Sequence, residues 1–344
     1  MLRDVACDYI RSRMIGGAFT STTTPSITAN YGQDGTLARN SAGRSQITLS
    51  QPFGQMCIAI AQQHTLSGGF ESQAAVPTAG GILQFDSRDN GTTFTDARVD
   101  WLALGYDQNL LPYKIPNQKV KATLRKSILV GGQIAGATAT VNIGKKDFSI
   151  SRASAGRYTI NFLRPFAQAP LIFFNFIATS GYRTLKVTSR TASSCTVECY
   201  DNTPTAQDAT FNIMVYGTMC KDQHGKARSN LCNTQRKPRL LAGAITVSGG
   251  VPAFTTIVSG KATGFNDIFT NLVDQGAGDV SFDFVKPFKR EPIIINTPVS
   301  SVKTRLHTIT STGVRIQNIN TAGTPSDPVG YHFLILGADE VNQY

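Results

Sequence analysis

Val280-Ser281-Phe282-Asp283-Phe284 alternates apolar and polar residues. Lys286-Pro287-Phe288 follows, then the apolar run Pro292-Ile293-Ile294-Ile295. The stretch closes with Tyr331-His332-Phe333-Leu334-Ile335-Leu336-Gly337. Successive side chains of a strand point to opposite faces, so alternation marks a strand with one buried and one wet face. The pattern occurs three times. Tyr158–Phe162 alternates, Pro165-Phe166 follows, Pro170–Phe174 is apolar and Phe211–Gly217 closes. Nearer the start, Ile47-Thr48-Leu49 alternates, Pro52-Phe53 follows, Met56–Ala61 is apolar and Val99–Gly105 closes.

The spacing is regular. Phe53 to Gly105, Phe166 to Gly217 and Phe288 to Gly337 span 52, 51 and 49 residues. A period of about 115 exceeds the roughly 20–50 residues of solenoid repeats. It suits a small whole domain of about 100–150 residues. The chain therefore reads as all-β, with three tandem small antiparallel β-sandwich domains over 1–110, 111–225 and 226–344. One large sandwich with a recurring strand grammar is the competing reading. Each copy opens alike, with Met14-Ile15-Gly16-Gly17-Ala18-Phe19, Leu129-Val130-Gly131-Gly132-Gln133-Ile134 and Leu241-Ala242-Gly243-Ala244-Ile245. A less regular Thr/Gly-rich segment follows, so five or six strands are expected per domain. Pro52, Pro165 and Pro287 fall at strand exits, where no ladder N–H is needed. Leu2, Val5, Ala6, Tyr9, Ile10 and Met14 fall near helical spacing, which predicts a short N-terminal helix or arm.

The chain has 344 residues, 41% of them hydrophobic and 16% charged, which places it among globular rather than disordered chains. Its 31 glycines, with abundant Thr and Ser, suit short strands joined by tight turns. The net charge is +11, which raises nucleic acid or another polyanion as a partner. Two basic runs, Lys114–Lys126 and Lys221–Arg239, lie between copies. Neither interleaves aromatic residues as a base-stacking surface does. They read as seams that contact an acidic neighbour, and specific nucleic-acid binding is not expected. Met1–Arg13 has no uninterrupted apolar h-region, which speaks against a secretory signal. No apolar run approaches the ~18 residues of a membrane span.

Catalytic signals are weak. His64, His224, His307 and His332 occupy unrelated positions in the repeats, His64 in a polar loop and His332 on a closing strand. No Gly-x-Ser-x-Gly, His-Glu-x-x-His or phosphate-loop motif is present. Asp86, Asp89, Asp96 and Asp100 cluster in sequence, and paired carboxylates hydrolyse glycosides. Asp89-Asn90-Gly91, however, has turn chemistry, and Asp96 and Asp100 are assigned to a solvated face. Cys195 and Cys199 are four apart on one strand face and do not suit a mutual disulfide. Cys220 and Cys232 bracket a loop holding His224, which leaves a loop disulfide or a zinc site open. No catalytic, metal or cofactor residue is assigned.

The module resembles the H-type lectin domain, the six-stranded sandwich of snail agglutinins and discoidins. Asp100-Trp101-Leu102-Ala103-Leu104-Gly105 is similar to that family's closing pattern. Lys286-Pro287-Phe288 with Pro292-Ile293-Ile294 looks like its opening, and Ser311-Thr312-Gly313-Val314 like its mid-domain hairpin. The match covers about 60 residues of each copy. The Trp gives way in register to Ile213 and Phe333, and no sugar-binding residue carries over. The resemblance implies trimer-like packing, here a covalent pseudo-threefold arrangement of the three copies. It also implies kinship with bacteriophage virion proteins of fibres, baseplates and head decorations. The expectation is a non-enzymatic virion structural protein of a tailed phage, assembled in the host cytoplasm and bound to other virion proteins. A host-surface glycan-binding adhesin is the alternative.

Overall fold

The alternating strands and the continuous apolar runs occupy different layers. A computed structural model describes residues 12–31, 35–50, 52–53, 58–64, 71–75, 81–88, 93–106, 127–145, 147–177, 184–201, 205–218, 238–248, 250–258, 268–298, 303–319, 324–327 and 330–338; these form only strands and connecting turns. The first unit has β1 (Ser12–Thr20), β2 (Ser26–Tyr31), β3 (Gly35–Ser41), β4 (Arg44–Leu49), β5 (Ile58–His64), β6 (Glu71–Ala75), β7 (Ile82–Arg88) and β8 (Arg98–Tyr106). The second has β9 (Ser127–Ala135), β10 (Thr140–Ile143), β11 (Phe148–Ser154), β12 (Arg157–Phe162), β13 (Leu171–Ile177), β14 (Thr184–Arg190), β15 (Ser194–Tyr200) and β16 (Thr210–Thr218). The third has β17 (Pro238–Ser248), β18 (Val251–Val258), β19 (Phe269–Gly276), β20 (Asp279–Phe284), β21 (Ile293–Pro298), β22 (Lys303–Ile309), β23 (Gly313–Ile319) and β24 (Gly330–Ala338).

One strand order serves all three units. The inner sheets run β2-β1-β8-β5, β10-β9-β16-β13 and β18-β17-β24-β21. The outer sheets run β3-β4-β7-β6, β11-β12-β15-β14 and, for the third unit, β19-β20-β23-β22. Pairing within each unit is antiparallel, and a single parallel bridge, Ile177 to Leu306, joins β13 to β22 across two units. Each pair of sheets encloses its own core. Trp101, Phe19 and Phe85 centre the first, Tyr158, Phe174 and Phe211 the second, and Phe269, Phe282 and Phe333 the third.

A fourth cluster belongs to no single unit. It draws Ile60, Leu102 and Leu104 from the first, Phe173, Met214 and Tyr216 from the second, and Ile295, Leu334 and Leu336 from the third. Strand registers make these equivalent triplets: Ile60 pairs with Leu102, Phe173 with Met214, and Ile295 with Leu334. The inner sheets thus have a sandwich core on one face and this shared centre on the other. That explains their unbroken apolar runs, because a strand buried on both faces loses its alternation. The outer strands β4 and β12 keep it, and their burial patterns are identical.

Among the described residues each unit has eight strands, two or three more than the five or six the sequence pattern suggests. The second and third strands of each unit are among the extra ones, and both lie at sheet edges. Edge strands such as β3, β11 and β19 need no full apolar face, and most of β11 and β19 is exposed. The expected N-terminal helix falls mostly outside the described residues, but Met14 is part of β1. The expected boundaries at 110/111 and 225/226 also lie outside them. The Pro-Phe to Gly spacing has a direct cause. A Cβ on Gly217 would lie 2.8 Å from the Phe166 ring, and one on Gly337 would strike the Phe288 ring. The backbone N–H of each Phe also donates to the mid-domain hairpin, Phe166 to Ala192 and Phe288 to Ser311, both at 2.8 Å. Each Phe therefore ties the strand exit to both sheets, its ring packing between the closing glycine and Phe162 or Phe284 and its backbone N–H holding the hairpin. Phe166→Ala should destabilise the chain by about 3–5 kcal/mol, read from the midpoint of denaturant unfolding. An effect below 1 kcal/mol would remove the ring from this role.

Candidate functional site: the junction of the three copies

The fifth strand of each unit is the last strand of its own inner sheet, and among the described residues its outward N–H and C=O groups have no strand to pair with, apart from the Ile177–Leu306 bridge at the end of β13. The neighbouring unit satisfies them with side chains. Each closing strand carries one polar residue five positions before its closing glycine: Asp100, Asn212 or His332. All three are buried. The Ile172 N–H donates to Asp100 Oδ2 at 3.0 Å. Asn212 Nδ2 donates to the Ile294 carbonyl at 3.1 Å. His332 Nδ1 lies 3.2 Å from the Ala59 nitrogen and 3.0 Å from its carbonyl oxygen. A second set repeats the pattern from the fifth strand itself. Phe174 N–H donates to Gln62 Oε1 at 3.3 Å, Asn296 N–H to Asn175 Oδ1 at 2.7 Å, and Ala61 N–H to Thr297 Oγ1 at 3.1 Å. Asn175 Nδ2 also donates to Asn296 Oδ1.

The direction is the same every time. Unit one reaches to unit two, two to three, and three back to one, so the contacts close a pseudo-threefold ring. The opening glycines serve the same seams. A Cβ on Gly16 would meet Leu171 of unit two at 2.9 Å, and one on Gly131 would meet Ile293 of unit three at 3.2 Å.

The seam between units one and two is ionic. Arg190 Nη1, on β14, donates to Asp100 Oδ2 at 2.6 Å and to the Pro170 carbonyl at 2.8 Å. Arg98 Nε stands 3.9 Å from Asp100 Oδ1, and His64 Nε2 is 3.3 Å from Oδ2 without forming an aligned hydrogen bond. Asp100 is wholly buried and His64 closes β5. The expected solvated face for Asp100 and polar loop for His64 are thus both corrected, because the shared centre covers that end of the strands.

Away from the axis the copies diverge. Arg39 pairs with Asp96 through two hydrogen bonds, at 2.9 and 3.0 Å, and Gly43 N–H donates to the same carboxylate. Arg152, Asp208 and Gly156 repeat this arrangement, with the Tyr158 hydroxyl donating as well. The Arg152 hydrogen bonds hold Asp208 far below the usual carboxylate range against the opposing effect of burial. In unit three Gly278 N–H still donates to Asp327, but Asp274 stands where the others have arginine. Gly43, Gly156 and Gly278 all have φ between 64° and 71°, and a Cβ on any of them would strike backbone. Asp96 therefore belongs to an edge-strand clasp that is partly exposed to solvent.

Asp86 borders an open polar groove of about 440 Å³ on the first unit's outer sheet, lined by Asn40, Ser41, Arg44, Ser45, Gln84 and Asp86. The Arg44 guanidinium stacks on Phe94 at 3.8 Å and lies 3.7 Å from Asp86. Equivalent positions hold Tyr158 and Val280 in place of Ser45, so the groove is not repeated. Cys195 and Cys199 are buried and are not joined in a disulfide, and burial pushes the Cys195 thiol up. His307 lies on β22. Asp89, His224, Cys220, Cys232 and both basic runs except Arg239 lie outside the described residues. Arg239 stacks on Phe288 at 3.7 Å. Among the described residues, no three His, Cys, Asp or Glu side chains are placed to hold a metal, and no helix is long and apolar enough to cross a membrane.

The ring positions were missed in sequence. Their signal is one polar residue in register within three apolar closing strands. Comparison with known proteins finds no matching family model, no matching curated protein and no matching solved structure.

Arg190→Ala leaves Asp100 buried beside weaker partners and should cost about 3–5 kcal/mol. Arg190→Ala in an Asp100→Asn background should cost clearly less. Equal losses in the double-mutant cycle would mean that the two do not act as a pair.

Proposed function

We propose that this protein is a non-enzymatic structural component of a tailed-phage virion, in a head decoration, neck or tail and baseplate position, acting through protein–protein contacts. The observation that carries the reading is the closed ring. Three units are fastened to one another by buried side-chain-to-backbone hydrogen bonds, which gives one rigid body rather than beads on a string. The buried Asp100, Arg190 and His332 are used in holding copies together. The outer edges, by contrast, differ in charge: Arg39 and Arg152 are neutralised by Asp96 and Asp208 on two units, whereas Asp274 and Asp327 stand at the equivalent edge of the third. A shared centre with divergent rims suits a body that meets a different neighbour on each side. Complementary charge at such rims steers docking and selects register. The resemblance of the Pro-Phe module to domains in phage fibres, baseplates and decorations supplies the virion context.

The groove at Arg44 and Asp86 supports a second reading, a host-surface glycan-binding adhesin. Its lining mixes hydrogen-bond donors and acceptors with balanced charge, as a polyhydroxylated ligand requires.

Purified chain added to particles lacking it should rebind saturably and weaken as salt rises. Failure to rebind at any salt, together with sugar-competed binding to host cells that is lost in Arg44→Ala, would replace the first reading by the second.

A further inference from the structure

The three seams of the ring are not equivalent in chain connectivity. Units one and two, and units two and three, are consecutive. The seam from unit three to unit one joins Ala59 to His332 and Ala61 to Thr297, contacts 273 and 236 residues apart. It is the seam whose parting would turn a closed ring into an open row of three units. It is also the seam in which the ring position is a histidine, where the others have Asp100 and Asn212.

The chemistry of that position depends on protonation. Neutral imidazole offers a lone pair at Nδ1 to the Ala59 N–H, or a proton from Nδ1 to the Ala59 carbonyl. Imidazolium has no acceptor, so the Ala59 N–H is left unpaired and a charge is placed in a buried site. Among the described residues the Ala59 carbonyl, 3.0 Å from Nδ1, offsets it in part, and β6, packed against β21, carries Glu71 in register with Arg88. His332 is flanked by Ala244 on β17 and Thr297 on β21. β18 and β21 carry no charged residue, and β17 carries only Arg239, at its far end over Phe288. The titratable group on β5 is His64, which sits beside Asp100 of β8 in the other seam, with Arg98 and Arg190.

We propose that the seam between the third and first units is an acid-sensitive latch, closed by neutral His332 and opened when that ring is protonated. Burial pushes His332 down to about 4, a shift that the hydrogen bond with Ala59 only partly offsets. The sign follows. The folded value lies below the unfolded value of about 6.5, so the closed seam is fully favoured above pH ~6.5. It loses ground as pH falls toward 4, by up to about tenfold in the closed-to-open ratio per pH unit. Asn212 has no titratable group, so the seam between units two and three has no such response. The latch rests on the ring geometry and is independent of the virion or adhesin reading.

Hydrogen exchange of the full chain, corrected for intrinsic rates, tests this at pH 7.5 and 5. Exchange in 58–64 should rise at least tenfold at pH 5, while 293–298, in the seam held by Asn212, changes by less than threefold. His332→Asn, which copies Asn212, should remove the pH response. Equal acceleration of 58–64 and 293–298, or a response retained in His332→Asn, would overturn the latch. An NMR titration of His332 in the unmodified chain provides a check that needs no variant. Titration near pH 6.5 with no change in exchange at 58–64 would also overturn it.

Discussion

Every edge strand leaves a row of peptide groups that must find partners or water. In this chain the fifth strand of each unit is such an edge, turned inward, where water is excluded. Much of the rest of the arrangement follows from how that row is satisfied. Ala59, Ile172 and Ile294 are met by the side chains of His332, Asp100 and Asn212 from the preceding unit in the ring. These polar side chains lie on the closing strands, and they bring their own sheets into van der Waals contact at the shared centre.

The apolar and polar parts of this junction have different tasks. Ile60, Phe173 and Ile295, with the leucines, Met214 and Tyr216 around them, remove apolar surface from water, but that attraction has no direction. The hydrogen bonds have direction. A slip of one residue along β5, β13 or β21 would turn outward N–H groups inward and leave Asp100 and Asn212 buried without partners. The Asp100–Arg190 pair adds a strong penalty to any such slip, because an unpaired buried charge is far more costly than a paired one.

How much of this was legible depends on how many faces each strand buries. Strands with one buried face, such as Tyr158–Phe162, announce themselves by alternation. Strands with two, such as Leu171–Ile177, appear as unbroken apolar runs, and the Pro-Phe to Gly spacing records a ring packed on a glycine. The second and third strands of each unit were illegible because they are edges, held by clasps such as Arg152–Asp208 rather than by apolar period. Asp100 and His64 were misplaced for a related reason. A polar residue in a strand suggests a wet face, and only the assembled ring shows that the face is covered by another unit. The equivalence of Asp100, Asn212 and His332 was available from the register of the closing glycines. It carried no meaning until the fifth strands were seen to be edges.

The central claim is that the three units close into one body. Small-angle X-ray scattering of the monomeric chain at neutral pH tests it most directly. A closed ring of 344 residues should give a radius of gyration near the compact-domain value of about 20 Å. A substantially larger radius, with the extended distance distribution of three beads in a row, would contradict the account.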